Sequence, residues 1–180
     1  MLQDVLDRGL SRGFRAAEEL SERLLATPLA TRALEPWCRE RGIADGTIVV
    51  RRNEAPAPEP LDPDSLALLG GDPRGLVFRR VDIRLGGITL VDAANWYFAD
   101  RLTPAMHERL LGDTPFGEAI CELEPRRKTF LVRFAAREAV DGPAPPLHVL
   151  EHRAILDLPD GTPIAVVHER YRAMLVRSEP

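Results

Sequence analysis

The sequence lacks the features that mark membrane, secreted and metal-binding proteins. No stretch approaches the roughly 20 apolar residues of a membrane-spanning helix. The N-terminus, MLQDVLDRGLSRGF, carries acidic residues and has no long apolar run, unlike a secretory signal. The two cysteines, Cys38 and Cys121, are far apart, and none of the four histidines has a metal-binding spacing such as HExxH. We therefore expect a cytoplasmic protein with no membrane association, no metal and no cofactor.

An excess of basic charge is also missing. The chain has 24 basic and 28 acidic residues and a formal net charge of -4. Nucleic-acid binding usually needs a basic patch, so we do not expect it as the main activity. At 44% hydrophobic and 29% charged residues, the composition is that of an ordinary globular protein. The length of 180 residues predicts one domain over 1–180, as a monomer or a weak homo-oligomer.

Hydrophobic spacing divides the chain into helices at 3–42 and a sheet at 46–175. Apolar residues recur every three to four positions in the first part, which predicts two amphipathic helices. The second part contains predicted strands at 46–52, 76–85, 88–99, 127–139, 147–159 and 163–175, with a helix at 103–112. The segment 53–65, rich in proline and acids, is predicted to be a surface loop. Short turns between strands favour an α+β fold: a single antiparallel sheet of about six strands, with helices packed on one side.

A glutamate on an apolar strand face is the strongest candidate for a functional residue. In the strand PIAVVHERYRAML, Glu169 alternates with apolar residues, whereas the opposite face is polar over its second half. Arg79 is likewise the single polar residue on the aliphatic face of LVFRRVDIRL. Alternation therefore favours Arg79 over Arg80 as the inward arginine and makes it the expected partner of Glu169. This pattern fits a structural ion pair and a reactive site about equally well.

Other motifs are weaker. His152 lies on an apolar strand face, where a hydrogen-bonded core histidine is the favoured interpretation. No GxSxG, Walker or Rossmann pattern is present.

Four segments, in order, resemble chorismate pyruvate-lyase, the enzyme that forms 4-hydroxybenzoate. LGDTPFGEAI (111–120) is similar to the family's "L-G-x-T-P-L-G", and VFRRVDI resembles its arginine-bearing strand. DGTPIAVVHERY resembles its "G-x-P-h-h-h-T-E-h-F" strand, where h is an apolar residue, and LATRALE resembles its N-terminal segment. Each motif is weak alone, but the agreement in order and spacing extends from about residue 20 to the end.

The resemblance implies a chorismate lyase-like fold and a lyase that eliminates pyruvate from chorismate, as in ubiquinone biosynthesis, without a cofactor. Glu169 would be the general acid or base, and Arg79 would bind the ring carboxylate; Arg80 takes that place if the turn has no gap. Phe116, Gly117 and Ala30 would line the substrate pocket. The expected partner is a small aromatic or cyclic carboxylate.

Departures from the family pattern keep other functions open. Phe116 replaces a leucine, Ala30 a methionine and His168 a threonine, so the shape of the pocket differs. A non-catalytic binder or sensor of a small aromatic carboxylate is the main alternative, and an enzyme acting on a related cyclic enol-ether acid is another. The fold is also similar to the effector-sensing domain of bacterial transcription regulators, but residues 1–45 are too few for their winged-helix domain.

Overall fold

The computed structural model describes residues 12–27, 29–54 and 58–177. The helices are α1 Arg12–Leu25, α2 Ala30–Glu40, α3 Pro63–Leu68, α4 Pro104–Leu111, α5 Phe116–Ala119 and α6 Arg137–Val140. The strands are β1 Val49–Arg52, β2 Leu76–Leu85, β3 Ile88–Phe98, β4 Arg126–Phe134, β5 His148–Asp157 and β6 Pro163–Arg172. Short 3-10 turns lie at Ala99–Arg101, Cys121–Leu123 and Ala173–Leu175.

The six strands form one antiparallel sheet in the order β1-β2-β3-β6-β5-β4. Two hairpins, β2–β3 and β5–β6, are joined side by side through β3 and β6. Gly86 and Gly87 turn the first hairpin with φ of 54° and 82°, and Gly161 turns the second with φ of 90°. These left-handed conformations favour glycine because they would strain a residue with a Cβ atom. The predicted α+β fold with a six-stranded antiparallel sheet is confirmed.

The longer helices cover one face of the sheet. The buried side of α1 and α2, including Leu20, Leu34 and Trp37, packs on Val91 and Tyr171 in a single apolar cluster. A second cluster on the same face joins α4 and α5 to the neighbouring part of β3 and β6. The N-terminus of α4 follows its sequence signal, because Thr103 accepts a hydrogen bond from the Met106 amide and Pro104 takes the first helical position.

The opposite face is partly covered by residues 58–69, which include α3. Leu61 and Leu69 pack on Trp96 and its apolar neighbours in a third cluster. The Trp96 indole also donates to the Glu59 carbonyl oxygen. The segment predicted as a surface loop at 53–65 therefore lies, where described, against the face opposite Glu169, and its last residues begin a helix. Asp62 caps that helix by accepting from the Ser65 amide, with Pro63 next to it.

Several boundaries differ from the prediction. Strand β4 ends at Phe134, and α6 replaces the predicted end of the strand because the chain bends after Ala135. The helix predicted from residue 3 is present from Arg12, and its earlier part lies outside the described residues. Strand β1 begins only at Val49. No described helix combines the length and the apolar character needed to cross a bilayer.

Candidate functional site

An apolar pocket lies between the helix-covered face of the sheet and the turns above it. Its cavity volume is about 80 Å3, and it opens into a cleft of about 600 Å3 that includes solvent at the mouth. The starts of α2 and α5 form the roof, and inward side chains of β2, β3 and β6 form the floor. The lining residues are mostly aliphatic: Leu29, Ala30, Thr31, Val50, Val81, Ile83, Ala93, Asn95, Pro115, Phe116, Gly117, Arg127, Leu156, Val167 and Glu169. Its polar side chains are few, which is typical of small-molecule pockets.

Glu169 lies at one side of this pocket in an ion pair with Arg127. Arg127 Nη2 donates to Glu169 Oε2 over 2.7 Å, and the Tyr171 hydroxyl donates to the same oxygen over 2.9 Å. The other oxygen, Oε1, is 3.5 Å from Arg127 Nη1. The Glu169 and Arg127 side chains are only 10% and 19% exposed, so the pair is largely shielded from water.

The protein keeps Glu169 ionised. Burial raises the pKa of its carboxyl group, but the charge of Arg127 and the hydrogen bonds from Arg127 and Tyr171 outweigh burial, so the pKa is lowered. Burial and the adjacent carboxylate raise the pKa of the Tyr171 hydroxyl well above its ordinary value. Glu169 is therefore a fixed anion at neutral pH with no readily exchanged proton.

Arg79 does not pair with Glu169, which corrects the expectation from the sequence. It is 2% exposed and faces inward, as alternation predicted, but it lies two strands from Glu169. Its Nη2 donates to the carbonyl oxygens of Gly112 at 3.0 Å and Thr114 at 2.6 Å, and its Nη1 approaches Asn95 Oδ1 at 3.4 Å. Burial lowers the pKa of Arg79 to about 10, so it remains a cation.

The structure brings four of the five predicted site residues together. Glu169, Ala30, Phe116 and Gly117 all line the pocket, whereas Arg79 lies beside it, behind Asn95. Arg80 points to the opposite face and pairs with Glu59.

Gly117 makes a close approach that its residue type permits. A Cβ atom at this position would overlap Leu29 Cδ2. The absence of a side chain therefore sets how near α5 comes to the start of α2 at the roof of the pocket.

The sequence did not lead us to predict two polar residues of the pocket, Arg127 and Asn95. Arg127 alternates with Thr129, Leu131 and Arg133 on a largely polar face of β4, so alternation gave no sign that it is inward. Asn95 shares the inward face of β3 with Ala93 and is 3% exposed. Asn95 could have been found by asking which polar residues alternate with apolar ones on every predicted strand, whereas Arg127 could not.

The buried histidine on β5 is held in the protein core by a hydrogen bond and an aromatic contact. His152 is 1% exposed, its Nε2 lies 2.9 Å from the Ser21 hydroxyl, and its ring packs edge-on against Tyr171. Burial lowers the pKa of His152, which favours the neutral ring. The predicted hydrogen-bonded core histidine is confirmed. Within residues 12–27, 29–54 and 58–177, no group of three histidine, cysteine or acidic side chains is arranged to hold a metal.

Comparison with known sequences identifies one family. The chain is 33% identical over 171 residues to the uncharacterized protein y4mC of Sinorhizobium fredii, covering 86% of this chain and 72% of that protein. The chain belongs to the y4mC family. No protein-family model matches it.

Solved structures similar to this y4mC-family chain include transcriptional regulators. The effector domain of PhnF from Mycobacterium smegmatis has a TM-score of 0.48 and 15% identity, over 79% of this chain and 86% of that one. The possible transcriptional regulator YydK from Bacillus subtilis has a TM-score of 0.47 and 14% identity, over 74% of this chain. The chain spans 60% of YydK and 62% of the longer PhnF structure.

The predicted chorismate pyruvate-lyase activity is wrong. The similar structures described above include a possible transcriptional regulator and the effector domain of PhnF, and neither is a lyase. The same finding overturns the related expectations: chorismate as the substrate, 4-hydroxybenzoate and pyruvate as the products, and ubiquinone biosynthesis as the pathway. The site agrees with the correction, because the y4mC-family chain holds Glu169 ionised against Arg127 and away from Arg79. From the resemblance to the lyase family, only the fold is supported.

Proposed function

We propose that the protein is a non-catalytic binder of a small molecule, of the class of small aromatic or cyclic carboxylates. The observation that carries the proposal is the pocket over the sheet, in which an aliphatic surface surrounds a few buried polar groups. Such a pocket takes an apolar ring by desolvation and fixes its orientation through the polar groups.

The apolar part of the pocket suits a ring. Val81 and Ile83 of β2 and Val167 of β6 form an aliphatic floor on either side of the small Ala93 of β3, because these side chains share one face of the sheet. The Phe116 ring, which packs edge-on against Tyr97 at a centroid distance of 5.5 Å, forms part of the roof. A ring between these surfaces would bury both faces, at about 25 cal/mol per Å2 of apolar area removed from water.

The charges beside the pocket favour an anion at the end near Asn95. The Arg127–Glu169 pair is neutral as a unit. Arg79 is a buried cation whose hydrogen-bond partners, among the described residues, are uncharged oxygens. Asp113 also acts on Arg79, but it is itself paired with Arg51 at 2.7 Å, so a carboxylate placed near Asn95 would feel a net attractive charge.

The opposite end of the pocket favours a hydrogen-bond donor. Glu169 Oε2 already accepts two short hydrogen bonds, whereas Oε1 has only the 3.5 Å contact with Arg127. A hydroxyl or amino group on the ligand could donate to Oε1. Asn95 and Glu169 are diagonal neighbours on adjacent strands, which separates their Cα atoms by roughly 7–8 Å.

The proposal assigns no acid–base step to Glu169. The surroundings of Glu169 lower its pKa, so it has no proton to give as a general acid at neutral pH, and it is a weak general base because an effective base has a pKa near the working pH. A binding role needs only the fixed negative charge and the accessible oxygen.

The test is a binding screen with a pocket-filling variant. Melting of the wild-type protein is measured with benzoate, 4-hydroxybenzoate, cyclohexanecarboxylate and phenol, and hits are titrated by calorimetry. We expect the carboxylates to raise Tm and to bind with a negative heat-capacity change, since apolar surface is buried. Ala30→Phe, which fills the pocket from the start of α2, should abolish the shift.

Ala67→Phe is the matched control. Ala67 is exposed on α3 and lies on the opposite side of the sheet, so the same substitution there should leave binding unchanged. Two results would contradict the proposal: no member of the panel binds, or incubation with chorismate releases pyruvate faster than buffer alone.

A further inference from the structure

The side-chain amide of Asn95 contacts the protein through its oxygen, and its nitrogen is directed at the pocket. Asn95 lines the pocket and is 3% exposed. Its Oδ1 faces Arg79 Nη1 at 3.4 Å, directly across the β2–β3 pair. In the described part of the chain, Nδ2 donates to no protein group.

The chemistry of Arg79 fixes which end of the amide faces the pocket. A guanidinium carries only donors, so it can accept nothing from an amide nitrogen. The oxygen of Asn95 must therefore face Arg79, and the NH2 group must face away from it. Arg79 is itself held in place by the carbonyl oxygens of Gly112 and Thr114.

We propose that Asn95 recognises the ligand by donating from Nδ2 to an acceptor oxygen, and that Arg79 is the positioning residue that orients this amide. The inference rests on the proposed binding function and deepens it by naming the group that selects the ligand. The ligand then carries a carboxylate or carbonyl oxygen at the Asn95 end. Arg79 contributes its charge from behind Asn95 and makes no direct contact with the ligand.

The alternative is that Asn95 only satisfies Arg79 and fills space. Its geometry argues against a purely structural role, because an apolar residue or an aspartate would fill the same place. An aspartate would even supply the carboxylate that buried Arg79 lacks. An asparagine instead presents an NH2 group, with two N–H donors, to the open pocket, where a ligand can accept from them.

Nuclear magnetic resonance can observe this amide almost in isolation. The chain has one glutamine, Gln3, and two asparagines, Asn53 and Asn95, so its spectrum contains three side-chain NH2 pairs. The variants Gln3→Glu and Asn53→Asp together identify the Asn95 pair by elimination. We expect benzoate and 4-hydroxybenzoate to shift the Asn95 NH2 signals strongly, and phenol, which has no carboxylate and whose hydroxyl is a much weaker acceptor, to shift them much less.

The variant Asn95→Asp separates recognition from structure. It keeps the shape, gives Arg79 a counter-charge and replaces the NH2 donor by an acceptor oxygen. We expect Tm to be kept or raised, while affinity for benzoate falls by roughly tenfold to hundredfold, as for loss of a hydrogen bond to a charged group. Asn53→Asp makes the same charge change at the edge of β1 and should keep the wild-type affinity.

The outcomes distinguish this inference from the proposed function. If wild-type protein binds the carboxylates but the Asn95 NH2 signals do not move, or Asn95→Asp binds as tightly as wild type, Asn95 is not the recognition group and the binding function stands. If no carboxylate binds wild-type protein, the binding function fails and the inference fails with it. The spectra of Gln3→Glu and Asn53→Asp together decide the first case even where Asn95→Asp does not fold.

Discussion

Removal of Arg127 tests whether the buried ion pair holds this part of the fold. In Arg127→Met the aliphatic length of the side chain is kept but the charge is lost, so Glu169 retains only the hydrogen bond from Tyr171. The Glu169 side chain is 10% exposed and cannot recover full hydration without local opening. The variant therefore leaves a buried carboxylate without its counter-charge.

The expected cost is about 3–5 kcal/mol at pH 7, the range found when one partner of a buried pair is removed. For a chain of this size each kcal/mol lowers Tm by about 2–4 °C, so Tm should fall by roughly 6–20 °C. Arg127→Met/Glu169→Gln should recover much of the loss, because the neutral amide needs no counter-charge. The single variant Glu169→Gln should cost less than Arg127→Met, since Arg127 is 19% exposed and closer to solvent.

The pH dependence gives a second and independent prediction. In the wild-type protein the pKa of Glu169 is lowered, so its stabilising effect is present above the unfolded pKa and is lost as pH falls through the folded pKa. In Arg127→Met burial dominates and raises the folded pKa, so stability should fall as pH rises above the unfolded value. The difference in unfolding free energy between the two proteins should therefore grow from pH 4 to pH 7.

Urea denaturation across this pH range measures both effects. Arg133→Met is the matched control: it lies on the same strand, is 63% exposed, and is 3.6 Å from Glu151. Such an exposed pair contributes about 0–1 kcal/mol. Equal losses in Arg127→Met and Arg133→Met, or a loss in Arg127→Met that does not vary with pH, would refute the reasoning.

Three further predictions follow from the described contacts. Gly117→Ala should force Leu29 to move and cost about 1–3 kcal/mol as overpacking, which thermal melting measures, and the narrower pocket should weaken ligand binding in calorimetry. Asp62→Ala removes the α3 cap and should cost about 0.5–2 kcal/mol; the loosened segment should shift Trp96 fluorescence to longer wavelength, as recorded in a Trp37→Phe background. Burial lowers the pKa of His168 to about 4, so its contribution to stability is lost as pH falls from 6.5 to 4; His168→Asn should flatten that part of the pH–stability curve in urea titrations.

Much of the fold follows from local signals in the sequence. The hairpins of β2–β3 and β5–β6 are set by alternating strands and by glycines in turns that need positive φ, so both could be predicted. The helix at Pro63–Leu68 was missed although Asp62-Pro63 is a regular start signal, because the proline-rich surroundings favoured a loop. The order β3-β6 at the centre depends on contacts between distant segments and has no local signal.

The candidate site, like the fold, could be predicted from the sequence only in part. Alternation predicted correctly which face of the sheet the Glu169 and Arg79 side chains lie on, since side-chain direction is a local property of a strand. Alternation could not predict which side chains these two residues contact, because those contacts depend on the order of the strands in the sheet. Two inward charges on one sheet were expected to meet, but one strand separates their strands and Arg127 reaches Glu169 from β4.

The actual partners change what the site can do. A Glu169–Arg79 pair would have placed a cation and a carboxylate on one substrate, as a lyase needs. The observed arrangement neutralises Glu169 with Arg127 and leaves Arg79 with uncharged partners behind Asn95. The positive charge of Arg79 therefore lies at one end of the pocket, where Asp113 offsets it only in part because Asp113 is paired with Arg51, and the neutralised carboxylate lies at the other end. A pocket polarised in this direction favours a ligand whose negative group lies near Asn95, as the proposed binding function requires.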